Sequence, residues 1–279
     1  MKSATSYVAQ ALAAHPSIFV SEPREPCHFV DGEALRHFWP LMWRRGYWRS
    51  RERYLELFAG AGDARIVVDG SVVYSQAPLF SGVPERILDL CPDARFVYVL
   101  RDPVRRAISH YWHRVRHWGE RRPMLKAISL DPEYAGASNY ALQLETYLRH
   151  VDLGRFYVFT YESLVADPAG SVAGLYRWLG VDPGFRPGNL ETPVNVTPDV
   201  IEYWPRLMQS LLAARFTSRL PAGLRDLASR LAVRRAEPVR YPAAEVAAHL
   251  RPRQRDETER LSRMLGRSFP EWTTLHADR

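Results

Sequence analysis

Cysteine is almost absent from this chain: of 279 residues, only Cys27 and Cys91 carry thiols. Two are too few for a disulfide scaffold and fit a reducing compartment, so a cytoplasmic location is expected. Long apolar runs are missing as well. With no stretch of about 18 apolar residues, no segment is expected to span a membrane. Met1–Leu12 is too short and too mixed for a signal peptide. There is no internal repeat and no low-complexity tail, and the Gly-x4-Gly-Lys-Ser/Thr spacing of a Walker A loop does not occur. That last absence counts against a P-loop-like kinase.

What is present is ordinary for a globular protein. Hydrophobic residues make up 46% and charged residues 25%, which excludes collagen-like and wholly disordered chains. Lys and Arg number 38 against 31 Asp and Glu, a formal charge of +7. Such an excess is either a solvated surface or the footprint of an anionic ligand, a nucleic acid or a small phosphorylated molecule. The arginines are spread over several helical stretches rather than one stripe, which disfavours a non-catalytic nucleic-acid-binding protein.

Short apolar runs at Ser17–Val20, Arg65–Val68, Arg95–Leu100 and Arg155–Thr160 read as strands. Helical patterns lie between them at Thr5–Ala14, Arg51–Ala59, Pro84–Leu90, Val104–Trp118, Asn139–His150 and Gly170–Leu179. This alternation predicts an α/β fold, a parallel central sheet flanked by helices, in a single domain over residues 1–279. Four prolines in Val181–Asp199 predict a long loop. Helices are expected at Leu207–Phe216 and Leu220–Val233, a second loop at Glu237–Pro242, and two closing helices at Ala243–Leu250 and Arg253–Leu265.

Two segments carry the chemistry. In the first, the apolar run Phe96–Leu100 ends in Arg101-Asp102-Pro103, with Asp102 placed to cap the next helix and Pro103 suited to its first turn. Ligands of open α/β sheets bind beyond the carboxyl ends of strands, where Arg101 stands. Four residues apart on the helix, Arg105 and Ser109 share a face and are expected to converge on one anion. Pairing of Arg101 with a local carboxylate is the alternative. The second segment, Lys2-Ser3-Ala4-Thr5-Ser6, sets hydroxyls and free N–H groups at a helix start, a place receptive to phosphate.

Together, Lys2-Ser3-Ala4-Thr5-Ser6 and Leu100-Arg101-Asp102-Pro103-Val104-Arg105-Arg106-Ala107-Ile108-Ser109-His110-Tyr111 resemble the sulfotransferases that use 3′-phosphoadenosine 5′-phosphosulfate (PAPS), in particular their heparan-type branch. The resemblance implies a P-loop-like nucleotide-binding architecture, PAPS as co-substrate and no metal. It makes Lys2, Ser3, Ala4, Thr5 and Ser6 the 5′-phosphosulfate loop, with Ala4 where that family usually has glycine. Arg101 and Ser109 become ligands of the 3′-phosphate. Val239-Arg240-Tyr241-Pro242 is similar to a late basic loop over the same phosphate, adding Arg240.

Arg24-Glu25-Pro26-Cys27-His28-Phe29 resembles the stretch carrying the proposed base, so Glu25 is the first candidate and His28 the second; the alternatives are an ion pair of Glu25 with Arg24 or another loop residue, and a satisfied loop or core role for His28. Tyr74 and Tyr140 are candidates to line the cleft of a small-molecule or glycan acceptor, with core packing as the alternative. Phe38–Trp48 is expected to cover that cleft. His110, His113 and His117, at helical spacing, are expected on a solvated face. The family places a strand and a glycine turn before its lysine, so a first strand truncated or lying upstream of Met1 is also expected.

Overall fold

The structure is a computed structural model and describes residues 1–188, 200–203, 235–238 and 244–276. Its strands β1 (Ile18–Val20), β2 (Ile66–Val68), β3 (Phe96–Leu100) and β4 (Phe156–Thr160) lie at the four apolar runs. Strand β1 pairs with β2 in parallel, Ile18 opposite Ile66, and β3 with β4 in parallel, Phe96 opposite Phe156 and Leu100 opposite Thr160. The fold is α/β with parallel strands flanked by helices, but hydrogen bonding divides these strands into two pairs where one central sheet was expected.

Alternation along β3 explains its place. Val97 and Val99 face a cluster with Val8, Leu12, Phe159, Leu175 and Tyr176. Tyr98 and Leu100 face another with Ile108, Leu144, Leu261 and Trp272. A strand packed on both sides must be apolar at every position, which this one is. Each fully buried aliphatic side chain such as Leu100 adds about 2 kcal/mol.

The helices of the first two-thirds are α1 (Thr5–Ala14), α2 (Gly32–Phe38), α3 (Pro40–Arg45), α4 (Arg51–Leu55), α5 (Val83–Leu90), α6 (Pro103–Trp118), α7 (Met124–Leu130), α8 (Pro132–Gly136), α9 (Tyr140–Leu148), α10 (Tyr161–Ala166) and α11 (Pro168–Leu179). Helix α6 starts as its sequence demands: the Asp102 carboxylate accepts the N–H groups of Val104 and Arg105, and Pro103 needs no partner for its nitrogen. It stops at Gly119, whose φ of 71° few other residues adopt. Helices α2 and α3 and the 3-10 turn Tyr47–Arg49 occupy the Trp-rich stretch, over a third cluster of Phe29, Leu35, Trp39, Tyr54, Val73 and Phe80.

Two expectations for the last third need correction. A single helix, α12 (Ala244–Leu265), replaces the two closing helices and keeps Pro252 inside it. Proline removes one backbone donor, but Val246, Ala247, Leu250 and Leu261 are buried along the same helix, and that packing outweighs the local break. Where Glu237–Pro242 was expected to be a loop, β6 (Arg235–Pro238) pairs antiparallel with β5 (Val200–Tyr203). The helices expected at Leu207–Phe216 and Leu220–Val233, and Arg240 with its loop, lie outside the described residues. Among the described residues no helix is long and apolar enough to cross a membrane.

Candidate functional site

The amino-terminal loop is built from alternating backbone hand. Lys2 (φ 66°) and Ala4 (φ 59°) are left-handed, while Ser3 between them and helical Thr5 after them are not. Left-handed residues alternating with others along the backbone are the pattern on which anion-binding nests are built. Ala4 is also the N-cap of α1 and offers no side-chain acceptor, so the first turn lacks an internal cap. Its positive φ is why glycine would suit this position, and alanine adopts it at a cost of about 1 kcal/mol.

Arg101 meets this loop directly. Its Nη1 donates to the Lys2 carbonyl oxygen at 2.9 Å, and its guanidinium lies 4.4 Å from the centre of the Tyr161 ring. Among the described residues its buried Nε has no partner. The Tyr140 hydroxyl braces the same residue, donating to the Arg101 carbonyl at 2.8 Å and accepting its N–H at 3.3 Å. Two segments 99 residues apart in sequence are thereby joined.

The surroundings are cationic. Burial, and after it the charges of Arg101, Arg116 and Arg106, push the Lys2 ammonium down to about 8. Arg106 is only 1% exposed and gives hydrogen bonds to the Ser138 hydroxyl and the Tyr134 carbonyl, and among the described residues its Nη1 has no partner. His113 is pushed down to about 3 by burial, with Lys2, His117 and Arg116 adding to the effect. Like charges this close disfavour one another's charged forms, and a bound anion would relieve that repulsion. A solvated face was expected for the three histidines; instead His110 is buried edge-on against Tyr134, because the outer turns of α6 are covered by α8.

Ser109 is buried whereas Arg105 is exposed and touches Thr273 Oγ1 at 3.5 Å. The two therefore do not share an environment, contrary to what their spacing suggested, since the inner face of α6 ends between them. Glu25 is paired with Arg24 at 2.6 Å, and Arg45 reaches its backbone carbonyl at 3.5 Å. Glu25, Arg106 and Lys2 all lie within electrostatic reach of the Met1 nitrogen, which puts Glu25 on the lysine side of the site.

His28 stacks on Tyr54 at 4.2 Å, and its Nδ1 lies 2.7 Å from the Tyr47 carbonyl oxygen. A carbonyl only accepts, so Nδ1 carries the proton and Nε2 of the neutral ring keeps its lone pair.

The hydroxyls of both tyrosines are engaged by the protein itself. Tyr74 donates to Asp69 Oδ2 at 2.6 Å and accepts the His28 N–H at 3.0 Å; Tyr140, 3% exposed, is committed to Arg101. Both hydroxyls hold the framework. Asp69, its carboxyl raised above the usual range by burial, also takes Tyr54 and the Ser71 N–H, and so ties the Glu25–His28 loop to the segment after β2. Sequence reading placed Arg106, Tyr161 and Asp69 inside its motifs but gave none of them a role of its own. Only Arg106 had a local signal, a charged residue on the apolar side of a helical pattern. Among the described residues no three His, Cys, Asp or Glu side chains gather as a metal centre would need.

A model of the Sulfotransferase family matches residues 1–186. Heparan sulfate glucosamine 3-O-sulfotransferase 3A1 of Mus musculus is 27% identical over 192 residues, covering 64% of this chain and 44% of that protein. Heparan sulfate glucosamine 3-O-sulfotransferase 6 of Homo sapiens is 28% identical over 191 residues, covering 64% and 50%. The chain thus spans half or less of the length of these relatives.

A solved sulfotransferase from Alicyclobacillus acidocaldarius superposes with a TM-score of 0.67 at 21% identity, over 98% of this chain and 95% of that one, which is a likeness of fold. With 186 of its 279 residues matched, from the loop carrying Lys2 through the helix after Arg101 and beyond, the chain belongs to the sulfotransferase family.

Proposed function

We propose that this protein moves a sulfuryl group from PAPS to a hydroxyl or amine of a small-molecule or glycan acceptor. The observation that carries the reading is the 2.9 Å contact from Arg101 Nη1 to the Lys2 carbonyl, which joins a phosphate-receptive loop to a strand-end cation. The residues present fit a nucleotide with anionic groups at two ends: one end has the loop of Lys2 to Thr5 with its left-handed turns, the other the Arg101 Nε, without a partner among the described residues, and buried Ser109. When bound, the co-substrate supplies an activated sulfuryl group on a 5′-phosphate leaving group.

Lys2 offsets the charge that gathers on that phosphate, while Ser3, Thr5, Ser6 and the loop N–H groups, Ala4 included, hold its oxygens. Arg101 and Ser109 hold the 3′-phosphate; Arg240 belongs to the same proposal by resemblance. Glu25, which faces Arg24 at 2.6 Å, takes the acceptor proton, and His28 Nε2 is the alternative acceptor. A base in this role contributes about 10²–10⁴-fold. A glycan acceptor is supported by the names of the curated relatives. A cytoplasmic setting is supported by the two unpaired cysteines.

Calorimetry with 3′-phosphoadenosine 5′-phosphate tests the site. Arg101→Ala is expected to abolish measurable binding, and Lys2→Ala to remove turnover with a smaller effect on affinity. Unchanged affinity in Arg101→Ala would overturn the assignment.

A further inference from the structure

The residue after Arg101 is held more firmly than a helix cap requires. Asp102 is 1% exposed, and its carboxylate accepts four hydrogen bonds. Two come from the start of α6, the N–H groups of Val104 at 3.1 Å and Arg105 at 3.0 Å, as for any capping aspartate. The other two come from Thr274, its hydroxyl at 2.5 Å and its N–H at 3.1 Å, 172 residues further along the chain. The Asp102 N–H in turn donates to Glu162 Oε1 at 2.9 Å, while Glu162 Oε2 accepts Trp272 Nε1 at 3.3 Å. The 3-10 turn Thr273–Leu275 that presents Thr274 is itself clamped to α12, by Arg251 Nε on the Thr274 carbonyl at 2.9 Å and Arg255 Nε on the Leu275 carbonyl at 2.7 Å.

With Tyr140 on the N–H and carbonyl of Arg101, the polar backbone groups at the root of that side chain all have fixed partners. A long guanidinium loses less freedom on binding when its root is already set.

We infer that Thr274, supported by Trp272, is a positioning residue that locks the Arg101-Asp102 step and so pre-orients Arg101 toward the 3′-phosphate of the nucleotide, an inference that rests on the donor-site reading above. The segment lies beyond residue 186, where the family match ends.

The test compares two nucleotides by calorimetry, 3′-phosphoadenosine 5′-phosphate and adenosine 5′-monophosphate, on Thr274→Val, Thr274→Ser and Trp272→Phe. Thr274→Val is expected to weaken the bisphosphate about tenfold, the worth of one hydrogen bond to a charged group, and to leave the monophosphate within about twofold. Thr274→Ser should bind both as the wild type does. Trp272→Phe retains an aromatic ring over Phe269 but loses the donor to Glu162, and should weaken the bisphosphate selectively to a smaller degree. Equal loss for both nucleotides, or none for either, overturns the positioning role. A wild-type protein that binds the two nucleotides equally overturns the donor-site reading, and this inference with it.

Discussion

Lys2 is the side chain whose ionisation matters most to the site. Its ammonium is held down to about 8 by burial first and by Arg101, Arg116 and Arg106 after it, so it is charged at neutral pH and loses its proton as pH climbs through 8. Affinity for 3′-phosphoadenosine 5′-phosphate should therefore fall above that pH. Arg116→Gln, which removes one of the repelling charges, should move the break upward; calorimetric titrations from pH 7 to about 9.5 check both. Arg101 was legible in the sequence because a strand end followed by Asp-Pro is a local pattern. Tyr140 was visible only as an aromatic residue. Its hydroxyl acts on a partner 39 residues away, and no spacing rule reports that, so a wall of the acceptor cleft and a brace for Arg101 look the same before folding.

Among the elements, the segment of α2, α3 and the turn after them depends on a close approach at Gly32. A Cβ there would fall 2.1 Å from Trp48 Cζ3, inside the ring that donates to the Trp43 carbonyl at 3.0 Å. Gly32→Ala must push Trp48 aside, and with it the Tyr47 carbonyl that fixes His28. The expected result is a shifted tryptophan emission, a loss of about 1–3 kcal/mol in thermal unfolding, and reduced turnover. Where apolar spacing was regular, element boundaries could be read: α1 runs over Thr5–Ala14 as expected. The break expected at Pro252 was a local rule overridden by tertiary burial along α12. The separation of the parallel strands into two pairs was not legible either, because apolar content marks a strand without naming its neighbour.

For the whole molecule, the burial of His113, with the cationic groups around it adding to the effect, sets a pH dependence of folding. His113 stays neutral in the folded protein down to about 3, whereas in the unfolded chain it titrates near 6.5. Its folded value is the lower one, so the unfolded state takes up the proton first, and stability is lost as pH falls below about 6.5. His113→Asn lacks that penalty. Relative to the wild type it should gain about 1 kcal/mol on going from pH 8 to pH 5.5, read as a difference in thermal midpoints. Little of this was legible in the sequence, since a run of basic residues looks the same whether it is solvated or gathered around a buried lysine.

The doubly held step at Arg101-Asp102 also bears on the order in which the molecule is made. A ribosome delivers Lys2 and Arg101 early, but Thr274 follows Asp102 by 172 residues, so a nascent chain can assemble strands β1 to β4 long before Thr274 reaches Asp102 at the proposed nucleotide seat. A product released short of Thr274 would then keep much of its core yet leave the proposed nucleotide seat loose.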